Sequence, residues 1–108
     1  MRTLNFIVEH QIIKKDPACD FTGLVRGTEG YLKAEFLFSP EWKDCVKVIA
    51  FRRNGRECEP QILKNGKSCM IPKEALIGGS FDVQVLGRKG DLKITTNRVV
   101  VEQNGGKA

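Results

Sequence analysis

The sequence has no apolar run close to the ~18 residues that a membrane span requires. Its N-terminal stretch, Met1 to Val8, is cut off by Glu9 and His10. That is too short for a signal-peptide core, and no small-residue cleavage site follows. The expectation is a chain made and kept in a cytoplasm, or carried out of it inside a larger assembly. There is one histidine, His10, and there are three serines, Ser39, Ser68 and Ser80. None of the serines lies in a G-x-S-x-G elbow, and His10 has no Ser or Cys beside it in sequence to activate.

The four cysteines, Cys19, Cys45, Cys58 and Cys69, are widely spaced and form no C-x-x-C pair. Zinc sites draw on close-spaced knuckles, because one turn must aim two thiolates at one ion. Reduced thiols packed as small hydrophobes are the expected state. Gly27-Thr28-Glu29-Gly30 and Gly78-Gly79-Ser80 lack the lysine and helix that follow a phosphate loop. Gly87-Arg88-Lys89-Gly90 has the letters of the G-x-x-G loop of RNA-binding KH domains, but that loop joins two helices. Here it lies between alternating segments and reads as a hairpin turn. Glu35, Asp82 and Asp91 are spaced in no way that requires them to meet. The remaining carboxylates read as outward positions of half-buried strands. No nucleophile–base pair, metal set or cofactor motif is visible, so the reading is a protein that binds or builds, not an enzyme.

What is present fits one folded domain. The chain has 108 residues, 41% hydrophobic and 29% charged, the balance of a globular domain with one core and not of a disordered chain. The net charge of +5 is spread along the chain and does not by itself single out nucleic acid.

The dominant pattern is period-two alternation in short segments bounded by Gly, Asn, Asp and Pro. Thr3 to Val8 reads as a strand with Leu4, Phe6 and Val8 on one face, and Gln11 to Lys14 as a short second strand. Phe21 to Arg26 is a weaker strand candidate. Tyr31 to Phe38 is clear, with Leu32, Ala34, Phe36 and Phe38 sharing a face. Ser39-Pro40-Glu41-Trp42 is a turn or a single helical turn that brings the only Trp to the edge of the core. Cys45 to Arg53 is the next strand, with Val46, Val48 and Ala50 on one face and Ile49 and Phe51 on the other. Asn54-Gly55 predicts a type I′ hairpin. Glu57 to Leu63 is the returning strand, and Pro60 marks an edge or a bulge.

Asn65-Gly66 leads into Lys67 to Ile71. Pro72 to Leu76 is the best helical turn, closed by Gly78-Gly79, so one short helical turn is expected near 72–77. Phe81 to Leu86, Leu92 to Thr95 and Val99 to Glu102 complete the strands, with Gly87 to Asp91 as a tight connection. About seven to nine short strands with turn signals at this spacing are the signature of an all-β sandwich or barrel. Residues 1–103 are expected to form the domain, and 104–108 a frayed polar tail.

One basic feature stands out. Arg52, Arg53 and Arg56 surround the expected hairpin tip, where they could grip phosphates or an acidic protein groove. No ladder of exposed aromatics accompanies them, since Tyr31, Trp42 and most Phe residues fall on core positions. Direct nucleic-acid binding is therefore disfavoured.

Tyr31-Leu32-Lys33-Ala34-Glu35-Phe36, then Trp42, then Lys47-Val48-Ile49-Ala50-Phe51 resembles the first half of small Ig-like domains in tailed-phage structural proteins. Cys69 to Leu76, Gly79 to Gly87 and Ile94-Thr95-Thr96-Asn97 continue the resemblance. An Ile-Pro opening, a helical turn, a Phe-x-Val-x-Val strand ending in Gly and a Thr-Thr-Asn exit are similar to the N-terminal domains of baseplate upper proteins. They are also similar to single-domain virion proteins of phages that infect Gram-positive bacteria. The resemblance spans residues 21–103. It implies an Ig-like antiparallel β-sandwich that coats, glues or extends a capsid, tail or baseplate through protein–protein contacts, in one or many copies, with no catalytic residues. It places the protein in the virion, and in host cytoplasm during assembly. Baseplate proteins of this type carry further domains after the sandwich, so a stand-alone decoration or connector protein is the preferred expectation. The alternative is a phage-encoded inhibitor of a host protein that docks the basic hairpin around Arg52, Arg53 and Arg56.

Overall fold

Ten strands build two facing sheets in the computed structural model, which describes residues 1–63 and 65–105. The first sheet has the order β2 (Ile12–Lys15), β1 (Arg2–Glu9), β3 (Leu32–Phe38), β7 (Ser68–Met70). The second is centred on β4 (Val46–Arg53) and β8 (Ser80–Lys89). Short β5 (Arg56–Glu57) and β6 (Gln61–Ile62) both pair with the free side of β4, and β9 (Leu92–Thr95) and β10 (Val99–Glu102) with the free side of β8. The protein is thus an all-β sandwich, and its ten strands slightly exceed the expected number because two edges are broken in half. Among the ten strands every pairing is antiparallel except β1 with β3, which run parallel in the register Leu4↔Ala34, Phe6↔Phe36. Parallel neighbours cannot be joined by a tight hairpin; the β1–β2 hairpin and the long segment after it carry the chain back.

Alternation sends Leu4, Phe6 and Val8 inward from β1, and Leu32, Ala34 and Phe36 from β3. They meet Ile49 and Phe51 of β4, Phe81, Val83 and Val85 of β8, and Val101 of β10. Burying each large apolar side chain is worth about 2 kcal/mol, so this shared core is what holds the sheets together. Aromatic contacts thread it: Phe6 stacks on Phe36 at 5.3 Å between centroids, and Phe38 leans on Trp42 at 5.4 Å. The expected helical turn is present as a 3-10 turn, Lys73–Leu76, which buries Ala75 and Leu76. A second 3-10 turn, Pro40–Trp42, buries Trp42 completely, its indole N–H donating to the His10 carbonyl at 2.9 Å.

Several local expectations are corrected. Phe21 to Arg26 forms no strand. Leu24 is buried, Phe21 packs edge-on against Phe6, and only Val25 makes a β-bridge, to Asn104. The returning strand from Glu57 to Leu63 is split at Cys58-Glu59-Pro60, since proline has no N–H to give a ladder. Gly87 to Lys89 belong to β8, and the turn comes only at Gly90-Asp91. The reason lies in packing: a Cβ on Gly87 would stand 2.6 Å from Trp42 Cζ3, so this buried strand position accepts only glycine. Tyr31 is half exposed and not a core residue, because it precedes β3 on the outward phase. Asn104 is tied in by its N–H to the Leu24 carbonyl at 2.7 Å, whereas 106–108 of the expected tail lie outside the described residues.

Candidate functional site

The hairpin tip forms as the sequence predicts. Asn54 and Gly55 have φ of 52° and 76°, the positive pair a type I′ turn demands, and Arg53 faces Arg56 across it. The three arginines do not form one basic patch. Arg52 and Arg53 are consecutive on a strand and therefore point to opposite faces. On the outer face, Arg52 lies opposite Glu57 and reaches Asp82 Oδ2 from Nη2 at 3.3 Å. Arg98 takes the other oxygen of Asp82 at 3.4 Å. On the inner side, Arg53 Nε donates to the Glu74 carbonyl at 2.9 Å. Arg53 and Arg56 share a shallow depression with Glu57, Cys58, Glu59 and Glu74, so acids interleave with the bases. Of the three, Arg56 alone is exposed, with Arg52 and Arg53 half-buried.

The outer face of the β4–β8 sheet is more unusual. The register puts Ile62, Val48, Leu86 and Thr95 in one row across four strands, with Ala50 and Gln84 in the next. On the other side lies a row of Val46, Arg88 and Lys93. Val46 and Ile62 are more than half exposed, and Val48 and Leu86 partly so. Together Val46, Val48, Leu86 and the stems of Arg88 and Lys93 line a broad apolar depression of about 490 Å³. Arg88 and Lys93 stand directly opposite each other, a like-charge pair that the sheet itself does not favour.

A second recess opens at the rim of the sandwich. It is a cleft of about 260 Å³ lined by Phe36, Phe38, Trp42, Lys43, Lys47 and Lys67, among others. Lys47 follows the inward phase of β4 with Ile49 and Phe51. The sequence carries a signal for it: in Val46-Lys47-Val48-Ile49-Ala50-Phe51 both phases are apolar except for this one lysine. With Ile49 and Phe51 inside, Lys47 must follow them.

His10 lies in the β1–β2 turn at φ 56°, largely exposed. Its Nδ1 bonds the Glu41 carboxylate, which also accepts from the Ser39 hydroxyl. These contacts, that from Ser39 above all, hold the Glu41 carboxyl below its ordinary value. The carboxylate sits between serine and histidine, so the hydroxyl is not bonded to the imidazole and the cluster works as a corner brace for the Trp42 turn. Cys45 is buried and the other three cysteines half-buried. Burial pushes the Cys69 thiol up to about 12 and also raises that of Cys58. Among the described residues no group of three or more metal-ligating side chains converges, and no helix is long and apolar enough to cross a membrane. Compared with known proteins, the sequence matches no family model and no curated relative.

Proposed function

We propose that the protein is a non-enzymatic structural component of a bacteriophage particle, an Ig-like module that decorates or connects a capsid, tail or baseplate surface through protein–protein contacts. The observation that carries this reading is the outer face of the β4–β8 sheet. Val46 and Ile62, more than half exposed, and the partly exposed Val48 and Leu86 are unfavourable in water, and covering them with another protein lowers the free energy. The order of the sequence motifs, similar to that of tailed-phage Ig-like domains, supplies the particle as the setting. The test is to purify the source particle on a density gradient and quantify this chain by peptide mass spectrometry against the major capsid protein. A stoichiometric amount is expected, and the copy ratio separates capsid decoration from a tail or baseplate position. Absence from clean particles, with the chain abundant in infected cells, would sink the reading.

A second reading, an inhibitor that docks the hairpin in a host protein, draws less support. Arg52 and Arg53 are each engaged within the fold, and of the three only Arg56 has no side-chain partner among the described residues. Replacing Arg52, Arg53 and Arg56 together with Ala tests it: unchanged binding to the host target removes this reading.

A further inference from the structure

Lys47 is buried, with 9% of its surface exposed. Its Nζ has one carbonyl acceptor, that of Cys45 at 3.3 Å, and lies 5.1 Å from the centre of the Phe38 ring. Lys47 appears in none of the ion pairs among the described residues. An ammonium has three protons to donate, and lysine is almost never buried without a counter-charge. Desolvating it costs free energy that an apolar side chain of the same length would not incur. Lys43 and Lys67 line the same cleft, and none of the described lining residues is acidic. Three lysines thus line one aromatic-walled recess, and its described lining carries no acidic residue.

We propose that this cleft is a socket for a carboxylate carried on an apolar segment of a partner protein, an inference that rests on the reading of the protein as a surface-docking component. The low-dielectric wall of Phe36, Phe38 and Trp42 weakens solvent screening and strengthens the pull on an arriving anion. A carboxylate would take up the unused donors of Lys47 in charge-assisted hydrogen bonds and supply the missing counter-charge. The partly exposed Phe38 ring and the exposed Leu37 side chain receive the apolar flank of the incoming segment. Phosphate is a weaker fit, because it is best held by arginine forks or nests of backbone amides. No arginine lines this cleft. Stacking of nucleic-acid bases is disfavoured because Phe36 and Trp42 present almost no exposed ring face.

The experiment titrates the isotope-labelled full chain, followed by amide chemical shifts, with capped pentapeptides that have Glu at the centre and Phe, Leu or Trp on either side. Matched Gln peptides and inorganic phosphate are run in parallel. The Glu peptides are expected to shift Phe38, Lys43, Lys47 and Lys67 saturably, with the Gln peptides weaker by about tenfold or more. Lys47→Met should weaken binding by at least about tenfold while leaving the melting temperature unchanged or raised, since it removes a buried cation that has no ion pair among the described residues. Lys14→Met, at an exposed lysine paired with Glu9, should change neither. The proposal is overturned if no peptide of the set shifts these amides, if Gln peptides or phosphate bind as tightly as Glu peptides, or if Lys47→Met binds undiminished. Failure of the two ideas is distinguishable. Particles that contain the chain and take up Lys47→Met at full stoichiometry would sink the socket alone. Selective Glu-peptide binding by a chain absent from particles would sink the virion reading alone.

Discussion

Gly87 shows how one residue can be required by a neighbour far away in sequence. It lies inside β8 with the Trp42 ring against it, and any Cβ would fall within 3 Å of two ring carbons. Trp42 is fully buried and anchored by its bond to His10, so the ring cannot yield. Gly87→Val is expected to cost about 3 kcal/mol, read as a lower urea midpoint. Glu41 supports the same corner. Its carboxyl is held below the ordinary 4.5 by Ser39 and then His10. A depressed folded-state value means that the carboxylate stabilises the fold above pH ~4.5 and that this is lost as pH falls through the lowered value. Glu41→Gln should flatten that acid-side slope in melting temperature while leaving the neutral-to-alkaline profile in place. Cys69 behaves in the opposite sense: its thiol, pushed up to about 12, stays protonated near neutral pH. Iodoacetamide at pH 8 should modify Cys69 only after the chain is unfolded in urea, as peptide mapping would show.

At the scale of elements, the half-broken edges and the seam between sheets set the behaviour. Asn97 lies in the gap between β9 and β10, and its Oδ1 accepts the Ile13 N–H at 2.7 Å. Its own N–H donates to the Gln11 carbonyl at 3.2 Å, so it ties the edge strand of one sheet to the interrupted edge of the other. Asn97→Ala leaves the Ile13 N–H without its partner and should cost about 1–2 kcal/mol in chemical denaturation. Most elements were legible from alternation and turn residues, Tyr31 to Phe38 and the Asn54-Gly55 hairpin most clearly. The phase of β4 was not. Val46, Val48 and Ala50 compete with Ile49 and Phe51 as the inward set, and period-two alternation alone cannot choose between them. The larger Ile49 and Phe51 fill the core, and that choice both exposes the Val48 row and buries Lys47. The basic tip was legible as a hairpin but not as a site, because only the fold brings Asp82 and Glu74 up to the arginines.

For the whole molecule, the two sheets share one core, and neither could bury its inner face alone. The Cα radius of gyration, 13.5 Å, matches the ~13 Å expected of a folded domain of about 100 residues. Unfolding in urea should therefore be a single transition, with Trp42 fluorescence and far-ultraviolet circular dichroism superimposing; separate midpoints would show that the sheets come apart independently. What the sequence by itself determined is the all-β class, the positions of most turns and the inward faces of β1, β3 and β8. These follow from local rules: side chains alternate along a strand, and turns demand residues that tolerate their backbone angles. What only the tertiary structure decided is the parallel pairing of β1 with β3, the glycine-only position beneath Trp42, the engagement of Arg52 and Arg53 within the fold and the lysine-lined cleft. Each depends on which distant segments meet, and that is settled by the packing of the whole core, which no local pattern encodes.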